Sequence, residues 1–126
     1  MPVRRILITV ALVSLLAAAC SSGSQGGGGD SIAITATDSE CKVAQTDVAA
    51  GRVAFRIHNG GDTVTEVYVY AADDKVLSEK ENIGPGTDAD LNVDLAAGDY
   101  EIACKPGMTG DGIRTEIHVT GEGGTK

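Results

Sequence analysis

The sequence predicts an all-β domain, a Greek-key sandwich or barrel of about seven short strands. Apolar and polar residues alternate in successive runs, the pattern of half-buried strands. Turn-forming clusters separate the runs, among them "HNGGD", "GPGTD" and "KPGMTGDG". No long window of this region has a helical period, so we expect no helix longer than about two turns.

Six runs carry the alternation, and each has one apolar face. In chain order they are "SIAITAT", "RVAFRIHN", "TEVYVYA", "DLNVDL", "DYEIAC" and "IRTEIHVT". The alternation places His58 and His118 on polar faces, so we expect both at the surface rather than as ligands. It places Cys41 and Cys104 on apolar faces, so both thiols are expected to point inward.

Residues 1–19 precede this domain and combine a basic start, an apolar run and a small-residue ending, "LLAAAC". The pattern predicts a lipoprotein signal peptide, with Cys20 carrying the lipid that holds the protein on the outer face of a cell membrane. An uncleaved anchor or an ordinary secretory signal is the alternative. Residues 20–30 and 122–126 are rich in small polar residues and predict a flexible tether and tail around a domain at residues 31–121.

The net charge limits the ligand classes. Residues 1–19 contain two of the ten basic residues, which leaves eight against 18 acidic ones and a net charge of −10. Nucleic acid needs a basic surface, so it is excluded as a partner. An acidic surface suits cations, although most of these carboxylates are expected simply to face solvent.

Cysteine usage leaves two interpretations open. If Cys20 is lipidated, Cys41 and Cys104 remain as an even pair outside the reducing cytoplasm, where a disulfide is the ordinary outcome. The other interpretation is a metal site, since two thiols close enough to share a metal ion are often close enough to form a disulfide. The chain has no G-x-S-x-G motif and no phosphate-cradling loop, so no catalytic residue is predicted.

The segment "YEIACKPGM" places Cys104 and Met108 on either side of a Pro-Gly turn at the end of a strand. It resembles the ligand loop of cupredoxins, small Greek-key β-barrels that bind copper, although no His lies between the two sulfur residues. The segment "FRIHNGGDTVTE" is similar to a second cupredoxin element, with Glu66 where that family carries a His. With "TDSECKV" and "TGDGIRTEIHVTG", these segments resemble the cupredoxin-like domain of EfeO-type iron-uptake proteins, here in a single-domain lipoprotein form.

The resemblance and the donor chemistry together give a candidate metal site. Its ligands are predicted to be Cys41, Glu66, Cys104 and Met108, and its cofactor a copper or iron ion. Thiolate and thioether favour copper, whereas carboxylate favours iron. Met108 is alternatively a turn residue whose side chain packs on the end of the barrel.

A weaker pair of candidate ligands follows in "SEKEN". Glu79 and Glu81 share one strand face by their spacing and can add oxygen ligands for iron. They can equally well face solvent, as most carboxylates do.

The signal pattern predicts a membrane-anchored, extracytoplasmic protein. The resemblance implies that this protein binds metal and takes part in iron uptake or copper handling, by oxidising iron or handing it on. Its expected partners are the metal ion, the membrane and other iron-uptake components. The alternative from a different class is a disulfide-stapled, metal-free module that recognises another envelope protein. The two functions can be distinguished by whether the protein binds a metal ion and whether that binding depends on free thiols.

Overall fold

A computed structural model describes residues 30–121. The predicted signal peptide, the lipidation site Cys20, nearly all of the tether and the tail lie outside these residues. Nine strands and a 3₁₀ turn follow one another: β1 (Ile32–Ala36), β2 (Cys41–Val43), β3 (Asp47–Ala49), β4 (Gly51–Asn59), β5 (Thr65–Ala71), β6 (Val76–Ile83), β7 (Asp88–Leu95), β8 (Gly98–Cys104), the 3₁₀ turn (Pro106–Met108) and β9 (Ile113–Thr120).

The strands form two sheets. One has four strands in the order β2-β1-β4-β7, and the other has five in the order β3-β9-β8-β5-β6. Two pairings, β1 with β4 and β3 with β9, are parallel, and the others are antiparallel. The predicted all-β sandwich is confirmed. No helix among residues 30–121 is both long and apolar enough to cross a membrane.

Three strands did not stand out in the sequence: β2, β3 and β6. The first two have only three residues each, too few to display a period. Strand β6 lies at the edge of the five-stranded sheet, and all but one of its residues are at least partly exposed. An edge strand with both faces in water needs no alternation, so its sequence carries no strand period.

The core lies between the sheets and consists of the apolar positions of the alternating runs. Phe55 and Ile57 of β4 face Val67 and Val69 of β5 across it, and all four are at most 1% exposed. The inner face of each sheet is therefore fixed by the alternation that predicted the strands.

Asn59 fixes the end of β4 and the loop that leads into β5. Its side-chain amide is buried and donates hydrogen bonds to the carbonyls of Thr63 and Ile83, both at 2.8 Å. Its side-chain oxygen accepts the N–H of Gly61 at 2.9 Å. Both ends of this buried amide are thus paired, and its hydrogen bonds tie the loop before β5 to the end of β6.

Candidate metal centre

Cys41 and Cys104 are joined by a disulfide, with their Cα atoms 5.4 Å apart. Cys41 opens β2 in the four-stranded sheet and Cys104 closes β8 in the five-stranded sheet, so the bond links the two sheets through the core. The exposed fraction is 5% for Cys41 and 0% for Cys104, so both side chains point inward as predicted. In this form neither sulfur is a thiolate, and thiolate is the form that binds metal.

The "CKPGM" segment forms a turn at the same end of the sandwich. The N–H of Lys105 donates to the carbonyl of Glu66, and the N–H of Gly107 donates to the carbonyl of Val64, both at 2.8 Å. These bonds continue the pairing of β8 with β5 beyond Cys104. Gly107 has a φ of 75°, a left-handed conformation that glycine adopts without strain. The half-buried Met108 ends the turn with a φ of 57°.

Glu66 is the buried charged residue of this end. It is 6% exposed, and its carboxylate has no hydrogen-bond or salt-bridge partner among residues 30–121. The preceding residue, Thr65, has a buried hydroxyl that also lacks a partner there. The Glu66 carboxylate oxygens, unlike the Thr65 hydroxyl, are not among the enclosed unpaired atoms of the described residues, so the carboxylate still reaches water.

The four predicted ligands therefore share one end of the sandwich, but strand alternation divides them between two faces. Cys104 pairs across the strands with Val67, and both face the core. Glu66 is one residue before Val67, so its side chain leaves the opposite, outer face of the sheet. The sulfur atoms and the Glu66 carboxylate are thus brought to one end without converging on one point.

Glu66 shares the outer face with Tyr68, and this neighbourhood was missed by the sequence reasoning. The Tyr68 hydroxyl donates to Oε1 of Glu81 at 3.3 Å, and Glu79 is the cross-strand partner of Tyr68. Burial raises the pKa of Tyr68 above its ordinary value of about 10, and the charges of Glu66, Glu79 and Glu81 raise it further. The signal available in the sequence was the i, i+2 spacing of Glu66 and Tyr68.

Two cations lie over the aromatic rings of this face. The Lys105 ammonium is 3.9 Å from the centre of the Tyr68 ring, and the Arg114 guanidinium is 4.3 Å from that of Tyr70. The two rings stack with centres 5.6 Å apart. Glu79 and Glu81 are exposed, which agrees with the expectation that they face solvent.

A separate group of residues of types that can bind metal lies on the outer face of β8 and β9. It consists of Asp99, Glu116 and His118. His118 contacts Asp99 through Nδ1 and Glu116 through Nε2, the latter at 3.7 Å. The hydrogen bond to Asp99 raises the pKa of His118. All three residues are exposed, and the expectation that His58 and His118 are surface residues is confirmed.

Comparisons with known proteins agree with this architecture. The sequence model of the family described as "Cupredoxin-like domain" matches residues 8–119. The chain is 32% identical over 101 residues to the iron uptake system component EfeO of Yersinia pseudotuberculosis, which covers 80% of the chain and 26% of that protein. It is 30% identical over 73 residues to the EfeO of Escherichia coli, which covers 58% of the chain and 19% of that protein. The chain thus spans about a quarter or less of these relatives.

Two solved structures resemble the fold at low sequence identity. Auracyanin from Roseiflexus castenholzii matches with a TM-score of 0.54 and 12% identity, over 75% of this chain and all of that one. An azurin from Methylomonas sp. strain J matches with a TM-score of 0.51 and 10% identity, over 71% of this chain and 96% of that one. At these identities the likeness concerns the fold alone.

Proposed function

The chain belongs to the cupredoxin-like domain family, and from that premise we propose that it is a membrane-anchored, extracytoplasmic metal-binding protein of an iron-uptake system. The similarity to EfeO, named as an iron uptake system component, supports the iron-related role. The lipid anchor on Cys20 and the association with other iron-uptake components belong to the same proposal, on the strength of the sequence pattern at residues 1–20.

The observation that carries metal binding is the position of Glu66 beside the "CKPGM" turn, where its carboxylate has no hydrogen-bond or salt-bridge partner among the described residues. Because the carboxylate oxygens are not enclosed, a cation can reach them from solvent. A bound metal ion would give the charge of Glu66 a partner.

The sulfur donors become available when the disulfide is reduced. Cys41 and Cys104 would then hold copper(I) as thiolates with Met108 as thioether ligand, whereas Glu66, on the outer face of the same end, would be an oxygen donor to a separate hard cation such as iron. An open groove of about 420 Å³ is lined by Cys41 together with Lys42 and Ile113 among others, so a reductant would approach the bond from the Cys41 side. The bound metal would supply the redox chemistry, and the side chains of the protein would supply the ligands of the metal.

The disulfide itself favours a second candidate function. A covalent link between the two sheets stabilises a small domain without any metal. In that case the protein is a stapled recognition module for another envelope protein.

Elemental analysis separates the two functions. Protein purified without chelator is analysed for copper and iron in its oxidised form and after reduction, together with a count of free thiols. We expect metal in stoichiometric amount after reduction, and less of it in Glu66→Gln. Asp94→Asn is the control, because it removes an exposed carboxylate on the other sheet, away from the candidate ligands. If the folded protein contains no metal in either the oxidised or the reduced form, the metal-free recognition module is the function that remains.

A further inference from the structure

We propose that His118 and Glu116 bind a divalent transition-metal ion on the outer face of the five-stranded sheet, with Asp99 as the residue that positions the imidazole. The site lies at the opposite end of β8 from Cys104, roughly 16 Å along the strand. It differs from the ligands of the proposed function in its donor atoms and in its independence of the thiol state, and it does not rest on that function.

Strand pairing places the three side chains on one face. Asp99 of β8 lies directly opposite His118 of β9, and Glu116 is two residues before His118, so all three side chains leave the outer face. Strands β8 and β9 are inside the sheet, with β5 and β3 on either side. The backbone beneath the site is therefore hydrogen-bonded along both edges, and donor atoms on such strands are held more precisely than donors on loops.

The donor atoms of these residues converge. One ligand atom from each of the three lies within 4.8 Å of the other two. Nε2 of His118 is 3.7 Å from Oε1 of Glu116, which is longer than the roughly 2.7–3.2 Å of a hydrogen bond. Two atoms that each bind one metal ion at about 2.0–2.1 Å can be this far apart. A metal ion between Nε2 and Oε1 therefore needs little movement of either side chain.

Asp99 holds the imidazole in the form that binds metal. Its carboxylate pairs with Nδ1 of His118. When Nδ1–H donates to this carboxylate, the lone pair is on Nε2, the nitrogen that faces Glu116. Metal-binding histidines commonly have such a carboxylate on the other ring nitrogen, where it fixes the tautomer and makes the imidazole a stronger ligand. Asp99 thus acts through His118 and is a positioning residue.

No permanent cation offsets the charge of this group. Among residues 30–121, neither Asp99 nor Glu116 has a Lys or Arg within salt-bridge distance, and the only partner of each is His118. Asp47 of β3 lies opposite His118 on its other side and adds a further negative charge. A divalent cation at Nε2 is therefore attracted by three carboxylates, although Glu116 is the one that binds it.

The second histidine, His58, lacks this property and shows what distinguishes the site. Its Nδ1 also contacts a carboxylate, that of Asp88, at 2.6 Å. Arg56, however, lies 3.5 Å from Asp88 and 2.9 Å from Asp90. The guanidinium is always charged, so the carboxylates around His58 already have a cation.

The donor set favours a transition metal over magnesium or calcium. Imidazole suits zinc, copper and iron, whereas magnesium and calcium prefer oxygen ligands alone. The side chains of His118 and Glu116 are 55% and 64% exposed, so an ion reaches them from solvent and water completes its coordination. The site is therefore an exchangeable one rather than a structural one.

The test is a titration of the untagged, disulfide-bonded full-length protein with Zn²⁺, followed by the imidazole signals in ¹H–¹⁵N NMR. The chain contains two histidines, so His58 is an internal control. We expect Zn²⁺ to shift the Nε2 signal of His118 and to leave both nitrogens of His58 in place. Mg²⁺ at the same concentration should shift neither imidazole.

Variants assign the roles within the site. Glu116→Gln should weaken Zn²⁺ binding at least tenfold, whereas Asp88→Asn, beside His58, should leave it unchanged. Asp99→Ala should weaken binding about 10- to 100-fold, as the loss of a positioning residue does. Asp99→Asn should bind more tightly than Asp99→Ala, because its amide oxygen still accepts the Nδ1–H of His118.

The proposal is overturned if Zn²⁺ shifts neither imidazole, or shifts His58 as much as His118, because the latter result indicates adventitious binding to any exposed imidazole. An equal response to Mg²⁺ also overturns it, because charge alone then accounts for the effect. Failure of this site is distinguishable from failure of the proposed function. That function is tested with copper and iron after reduction and with Glu66→Gln, whereas the zinc titration uses the disulfide-bonded protein.

Discussion

Cys41 of the four-stranded sheet and Cys104 of the five-stranded sheet are bonded to each other, 63 residues apart in the chain. The bond closes a loop that contains most of the domain, so it removes much of the conformational freedom of the unfolded chain. Both residues are also in the core, where replacement changes packing.

Reduction of this disulfide should therefore lower the free energy of unfolding. For a loop of this length the chain-entropy relation gives about 4 kcal/mol. The measurement is denaturant unfolding with and without reductant, in a Cys20→Ser background so that no third thiol exchanges. Cys41→Ser with Cys104→Ser should reproduce the loss without reductant. Equal midpoints in the two conditions would contradict the prediction.

Truncation of the Asn59 side chain should also lower the free energy of unfolding, for a different reason. Its buried amide satisfies the carbonyls of Thr63 and Ile83, and Asn59→Ala leaves both without that donor. We expect a loss of about 1–3 kcal/mol of unfolding free energy, the cost of leaving buried polar groups unpaired. Asn92→Ala on the exposed face of β7 is the control and should cost far less. Comparable losses in the two variants would show that the hydrogen bonds contribute little.

His118 gives a pH-dependent contribution to stability. Its bond to Asp99 raises its pKa in the folded protein above the ordinary value of about 6.5. Because the pKa of His118 is higher in the folded protein than in the unfolded chain, the bond contributes its full stabilisation of the fold below about pH 6.5. This stabilisation is lost as the pH rises through the folded-state pKa. NMR titration should show a His118 midpoint above 6.5 that falls in Asp99→Asn. The thermal midpoint of the wild type, relative to His118→Gln, should decline across the same range. An unchanged His118 midpoint in Asp99→Asn would refute this.

The anchor can be tested by fractionation. If Cys20 carries the lipid, Cys20→Ser should move the protein from the membrane to the soluble fraction. Cys41→Ser, which leaves Cys20 in place, is the control for the loss of a cysteine as such. A variant that stays with the membrane would instead identify the apolar segment before Cys20 as a retained anchor.

The sequence predicted the strands that have one face in the core, because burial imposes the alternation that makes a strand visible. It missed β6, whose residues are exposed on both faces. It brought Cys41 and Cys104 together but left their chemical state open, since spacing carries no information on redox state. The surroundings of Tyr68 were not predictable, because the pairing of β5 with β6 and the bulge within it decide which carboxylates meet the hydroxyl.

Copper binding by the reduced protein is the most direct test of the "CKPGM" turn. Cys104 and Met108 lie on either side of the turn, and Cys41 is within bonding distance of Cys104. Once reduced, an enclosed thiolate needs a cation to offset its charge, and copper(I) is the soft ion that sulfur prefers. Cys104→Ser should therefore abolish tight copper(I) binding in a competition assay with a chromophoric chelator. Met108→Leu should keep binding but weaken it and shift the redox potential, because it removes only the thioether.

The oxidised wild type is the control and should leave the copper with the chelator. Tight binding by the oxidised wild type, or by Cys104→Ser, would place the copper ligands elsewhere in the chain.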